Sequence, residues 1–95
     1  PEACVAEVGR TFDPVYFRHD SSILPFGARD ALREYATWLA SRPDVWITVE
    51  GHCDLDGSSE YNYHLGMARA MAVRDYLTGQ GIAAERMFLL SYGEE

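Results

Sequence analysis

The chain has 95 residues, with 15 acidic against 8 basic side chains and a formal net charge of -7. That length supports one domain with a modest core. The acidic balance excludes non-specific nucleic-acid binding, which needs a basic face, and electrostatic attachment to anionic lipid. A zwitterionic ligand stays compatible, because it is read by local charge.

No apolar run reaches the length of a membrane-spanning helix. The chain starts abruptly at Pro1 without a signal peptide, so it reads as a piece of a longer protein: one domain over 1–95, with 1–14 as an N-terminal extension. Its two cysteines, Cys4 and Cys53, fit no zinc pattern. A disulfide between them in an oxidising compartment and two unrelated thiols both stay open. Ala3-Cys4 matches the end of a lipoprotein cleavage site, but the apolar stretch that should precede it is missing.

In the extension, Val5 and Val8 can pack on the domain, and Gly9, Asp13 and Pro14 form turns. Val15-Tyr16-Phe17 reads as a short strand by β propensity, and His19-Asp20-Ser21-Ser22 as a polar turn. Pro25 suits the first residue of a helix. Ala28, Leu32, Tyr35, Ala36 and Leu39 then give one apolar helical face, which Arg42-Pro43-Asp44 ends. Val45 to Val49 reads as a strand, alternating Val45, Ile47 and Val49 against Trp46 and Thr48.

A polar loop from Gly51 to Gly57 follows, holding Asp54 and Asp56. Ser58 or Ser59 caps the next helix, and Glu60 favours its positive end. Its expected core stripe is Leu65, Ala68, Ala72, Val73, Tyr76 and Leu77, and Thr78-Gly79-Gln80-Gly81 ends it. Ile82 to Arg86 is a connection with room for one helical turn, and Met87 to Tyr92 is the last strand. Strand, helix, strand, helix, strand implies two helices packed on a sheet. Tyr16, Phe17, Trp46, Phe88 and Tyr92 are expected in or at the edge of the core.

The chemistry concentrates between Gly51 and Val73. Asn62 and Arg69 lie two helical turns apart on nearly one face. Taken alone, Asp54 is a turn carboxylate bonded to nearby backbone N–H groups. Arg69 alone is an arginine reaching solvent past its own stem. Yet its small neighbours Gly66, Ala68, Ala70 and Ala72 are what a close-lying ligand needs, and its fork suits a carboxylate. Asn62 can brace the Asp54 loop or donate to a ligand, bracing being the commoner task of an asparagine, and His52 reads as a structural ring fixing the turn. His52-Cys53 is no nucleophile and base pair, since adjacent extended residues point apart and no orienting third group is evident. Asp54, Asp56 and Gly57 fail the helix-loop-helix calcium pattern, whose sixth and twelfth places hold Ser59 and Leu65 here.

From about residue 15 to the end, the chain resembles the OmpA/MotB C-terminal-like family of peptidoglycan-binding domains, closest to its peptidoglycan-associated lipoprotein branch. The match rests on Gly51, His52 and Asp54, on Gly57, on Tyr61-Asn62, on Leu65-Gly66, and on Arg69-Ala70 with Val73. Val15-Tyr16-Phe17 with Asp20-Ser21-Ser22, and Ser91-Tyr92-Gly93-Glu94, look like the family's first strand and closing segment. Arg18, His19 and Cys53 depart from it, and its last strand is absent.

The resemblance implies an α+β fold, a β-α-β-α-β two-layer sandwich with a mixed sheet and both helices on one face. It implies a non-catalytic module, without a metal or other cofactor, that binds the meso-diaminopimelate of the peptidoglycan stem through Asp54, Arg69, Asn62, Asp20 and Leu65. It further implies the periplasm of a Gram-negative bacterium and attachment to the outer membrane through an anchor outside this stretch. For the lipoprotein branch, it implies the TolB propeller as a competing partner. The alternative is an envelope protein–protein interaction domain, as in a stator or barrel-linked relative, without direct wall binding.

Overall fold

The structure, a computed structural model, describes residues 4–8, 12–53 and 58–93, the first five as backbone. Strand β1 is Cys4–Val8, β2 is Val15–Tyr16, helix α1 is Ala28–Ala40 and β3 is Ile47–Cys53. Helix α2 is Ser59–Gly79, a 3-10 turn spans Ala84–Arg86, and β4 is Met87–Gly93. One mixed sheet has the order β2-β1-β3-β4. β1 runs antiparallel to both neighbours, with Cys4 opposite Cys53 and Val8 opposite Val49. β3 and β4 are parallel, with Ile47 opposite Met87 and an irregularity between Gly51 and His52. The α+β class expected from the sequence is what forms.

β1 was not expected. Cys4–Val8 was assigned to an extension but lies inside the sheet. β3 starts two residues later than expected and ends at Cys53. Gly51 had been assigned to the loop, but here it is a strand residue whose missing side chain admits a helix. Pro25 does not open α1. The Ala28 N–H bonds to the Pro25 carbonyl at 3.1 Å, closing a turn ahead of the helix, a place proline fits equally well.

The core lies between the sheet and the helices. β3 sends Ile47, Val49, Gly51 and Cys53 inward, and Thr48, Glu50 and His52 outward. Leu32, Ala36 and Leu39 of α1 meet Val73 and Leu77 of α2, with Val15 and Phe17 from the first strand region. The stripe expected on α2 is only partly correct. Leu65, Val73 and Leu77 are buried, whereas Ala68, Ala72 and Tyr76 are half-buried. Asn62, Gly66, Arg69 and Ala70 take the inner positions instead. The helix turns its small and polar residues to the sheet, where the approach is tightest.

Ser58 caps α2, accepting from the Tyr61 N–H at 3.0 Å. At the other end Gly81 has φ 103°, and the Ile82 N–H reaches the Leu77 carbonyl at 3.1 Å. Arg86 ties three segments together. Its Nε donates to the Val45 carbonyl at 2.9 Å, and its second nitrogen donates to the Leu39 and Arg42 carbonyls at 2.9 and 2.7 Å.

The aromatic expectation needs correction. Phe17 is fully buried, but Tyr16, Trp46, Phe88 and Tyr92 are 42–59% exposed. Strand alternation turns them to the sheet face opposite the helices. There Trp46 lies 5.5 Å from Phe88, and Tyr92 stacks on His52 at 4.8 Å.

Candidate functional site

Arg69 is the most telling residue. The sequence alone sends it to solvent, but it is 0% exposed and is the largest fully buried side chain among the described residues. Nε donates to the Ser21 carbonyl at 2.6 Å, and a terminal nitrogen donates to the Arg18 carbonyl at 2.8 Å. Its guanidinium also sits 5.1 Å from the Phe17 ring centre. Backbone carbonyls orient the fork without removing its charge.

The segment supplying those carbonyls is itself shaped for the task. The Ser21 N–H bonds to the Arg18 carbonyl at 3.2 Å, and the Ile23 N–H to the Ser21 hydroxyl at 3.1 Å. Asp20 takes φ 56°, a left-handed conformation that aspartate tolerates better than most residues. Its carboxylate accepts a hydrogen bond from the Tyr61 hydroxyl. Tyr61 thereby bridges the first turn of α2 to the turn that holds Arg69. The phenol pKa is raised, first by this hydrogen bond, then by burial and by the charge of Asp20. The sequence reading used Tyr61 only as part of a motif. Its partner lies far away in the chain, and no spacing rule joins the two.

Asn62 is also 0% exposed. The Cys53 thiol donates to its side-chain oxygen at 3.7 Å. That contact joins Asn62 to the end of β3; the loop it was expected to brace lies outside the described residues. Asp54, Asp56 and Gly57 lie outside the described residues, so the calcium-loop comparison does too. Leu65 is buried one turn beyond Asn62. His52 and Cys53 point to opposite sides. The His52 ring, on the outer face, is 3.2 Å from the Glu50 carboxylate. Among the described residues, no group of three His, Cys, Asp or Glu side chains can hold a metal ion.

Two glycines let α2 sit this close. A Cβ added at Gly51 would lie 1.8 Å from the Gly66 carbonyl oxygen. A Cβ at Gly66 would lie 2.5 Å from the Ser91 hydroxyl and 3.1 Å from the Gly51 oxygen. The contact holds α2 against β3 at Gly51. Arg69, Asn62 and Leu65 thus share one buried helix face, and Asp20 joins it through Tyr61. The arrangement holds a buried, positively charged donor fork on neutral carbonyls of a turn that carries a carboxylate.

Comparison with known proteins gives a consistent result. The OmpA family model matches residues 16–95. The chain is 46% identical over 83 residues to the peptidoglycan-associated lipoprotein of Agrobacterium fabrum, covering 87% of this chain and 47% of that protein. The chain therefore spans about half the length of such relatives. The crystal structure of the peptidoglycan-associated lipoprotein from Burkholderia pseudomallei superposes with a TM-score of 0.81 at 38% identity, over 84% of this chain and 68% of that one. The C-terminal domain of Helicobacter pylori MotB superposes with a TM-score of 0.77 at 25% identity, over 86% and 65%. This chain belongs to the OmpA family.

Proposed function

We propose that the domain is a non-catalytic binding module that holds an envelope protein to the cell wall by gripping the meso-diaminopimelate of the peptidoglycan stem. The observation that carries this reading is the buried Arg69 guanidinium, oriented by the Arg18 and Ser21 carbonyls. Burying a charge is costly unless it is well partnered. A surface arginine with no task would leave the helix for water.

Diaminopimelate exposes an ammonium and a carboxylate on one carbon. Arg69 supplies the donor for the carboxylate, and Asp54 the acceptor for the ammonium. The Arg18–Ser21 turn that orients Arg69 is itself tied to α2 by the Tyr61–Asp20 bond. Asn62 holds the strand end from which the Asp54 loop departs. The parent protein is then periplasmic and associated with the outer membrane through a segment outside this stretch. For a lipoprotein parent, TolB is the competing partner.

Sedimentation with purified wall sacculi tests the reading. Asp54→Asn and Arg69→Ala should each weaken retention by about 2–4 kcal/mol, the effect of stranding one charge of a buried pair. Melting curves separate binding loss from unfolding. The double variant should lose less than the sum, since both residues act on one ligand group. Walls with lysine in place of diaminopimelate lack the side-chain carboxylate and should bind weakly. Wild-type retention by a folded Asp54→Asn chain would overturn the reading. The exposed Tyr16, Trp46, Phe88 and Tyr92 favour a second reading, a protein-docking domain. Retention that soluble diaminopimelyl peptide fails to displace would support it.

A further inference from the structure

The chain has only two cysteines, and the sheet sets them directly opposite each other. β1 and β3 are antiparallel, with Cys4 and Cys53 as paired residues at one end of the ladder. β1 has five residues, and only one stands opposite Cys53. That one is the chain's only other cysteine.

Directly opposed residues in an antiparallel pair have Cα atoms about 4.5 or 5.5 Å apart, depending on the hydrogen-bonding pattern. Both separations fall within the range of about 4.4–6.8 Å that a disulfide spans. We propose that Cys4 and Cys53 are joined by a cross-strand disulfide, a covalent modification that fastens β1 to the end of β3.

The chemistry balances as ordinary thiol–disulfide exchange. The two thiols lose two protons and two electrons and form one S–S bond. The disulfide of an envelope dithiol oxidase, or oxidised glutathione in the test tube, is reduced to two thiols. Cys53 is 1% exposed in the folded chain. The bond therefore forms as the strands pair, before the helices cover that side. It closes a long loop carrying β2, α1 and most of β3, so it removes much unfolded-state freedom. It also replaces the thiol proton that Cys53 donates to Asn62, altering the packing of a candidate-site residue. The compartment comes from the functional reading above, whereas the strand register stands without it.

The test folds the 95-residue chain in a glutathione redox buffer and then alkylates it after denaturation without reductant. The expected product is a monomer about 2 Da lighter than the reduced chain, as loss of two hydrogens requires. It should take up no alkyl group and yield one cross-linked peptide pair containing Cys4 and Cys53. Reduction should lower Tm by at least about 8 °C, and Cys4→Ser should abolish that redox dependence. Cys4→Val combined with Val5→Cys moves the thiol opposite His52, onto the other face, and should not couple to Cys53. Two alkylated thiols after oxidation, dimers in place of the internal bond, or equally fast coupling of the shifted cysteine would each overturn the proposal. None of these readouts involves wall binding, so a failure here leaves the functional reading untouched.

Discussion

Replacing Gly51 by alanine should damage the domain far more than the same change at Gly66, although the two glycines touch. At Gly51 the new methyl carbon would sit 1.8 Å from the Gly66 carbonyl oxygen and 2.6 Å from its carbon. A relaxed carbon–oxygen contact is about 3.3 Å, so α2 must retreat from β3 by roughly 1.5 Å. Neither side of the clash can rotate away, because both are backbone. A gap of that size forfeits much of the dispersion energy across the interface. The loss should reach or exceed about 3 kcal/mol, the upper end for overpacking. In a domain of this size that lowers Tm by roughly 12–24 °C. At Gly66 the methyl carbon meets the Ser91 hydroxyl first, at 2.5 Å. That hydroxyl can swing aside, giving up its bond to the Tyr63 carbonyl at a loss of about 1 kcal/mol. The helix gains about 1 kcal/mol from losing a glycine. Gly66→Ala should therefore stay within about 1 kcal/mol of the parent, and prior Ser91→Ala should soften it further. Urea and thermal unfolding of the single and double variants measure all of this. A Gly51→Ala chain within about 0.5 kcal/mol of the parent, or one more stable than Gly66→Ala, would refute the close-approach argument.

Arg86→Met keeps the stem but removes the donors that join Val45, Leu39 and Arg42. It should cost about 2–3 kcal/mol, as expected for charged hydrogen bonds in a partly exposed setting. Arg86→Lys should restore only part of this, because an ammonium lacks the planar fork. A full rescue by lysine would contradict the fork geometry. The Tyr61 phenol is held above its ordinary pKa, chiefly by its bond to Asp20. Its contribution to stability is thus complete below about pH 10, the unfolded value, and is lost as pH rises through the folded value. Ultraviolet titration of Tyr61→Phe should lack one late-ionising phenol, and its stability should fall less on the alkaline side. If the phenol missing from the variant titrates at the ordinary value, and both chains lose stability alike on the alkaline side, the bridge does not form in solution.

The helices and the strand character of β3 and β4 were legible because their signals are local, whereas the parallel pairing of the two strands was not. Leu32, Ala36 and Leu39 repeat at helical spacing, and Ile47 and Val49 alternate. What escaped depends on distant partners. Cys4–Val8 becomes a strand by pairing with β3 and β2, and its own five residues carry too weak a pattern to announce that. Gly51 reads as punctuation until Gly66 is seen against it. Phe88 and Tyr92 read as core because β4 is apolar on both faces, whereas only one face is covered. The burial of Arg69 also escaped any local rule. The family resemblance pointed to the residue, but the carbonyls that hold it come from a turn far earlier in the chain.

The placing of β3 between β1 and β4 has a consequence for the order in which the chain folds. Neither neighbour is joined to β3 by a hairpin. The partner on one side is made well before it, and the other, Met87–Gly93, well after it. Such non-local pairing must meet its loop-closure entropy before any contact rewards it, which slows folding. A nascent chain already exposing Ile47–Cys53 has one edge of its central strand open, with backbone groups able to pair wrongly. Met87–Gly93 therefore completes the pairing of β3, which stays open along that edge until this later segment is available.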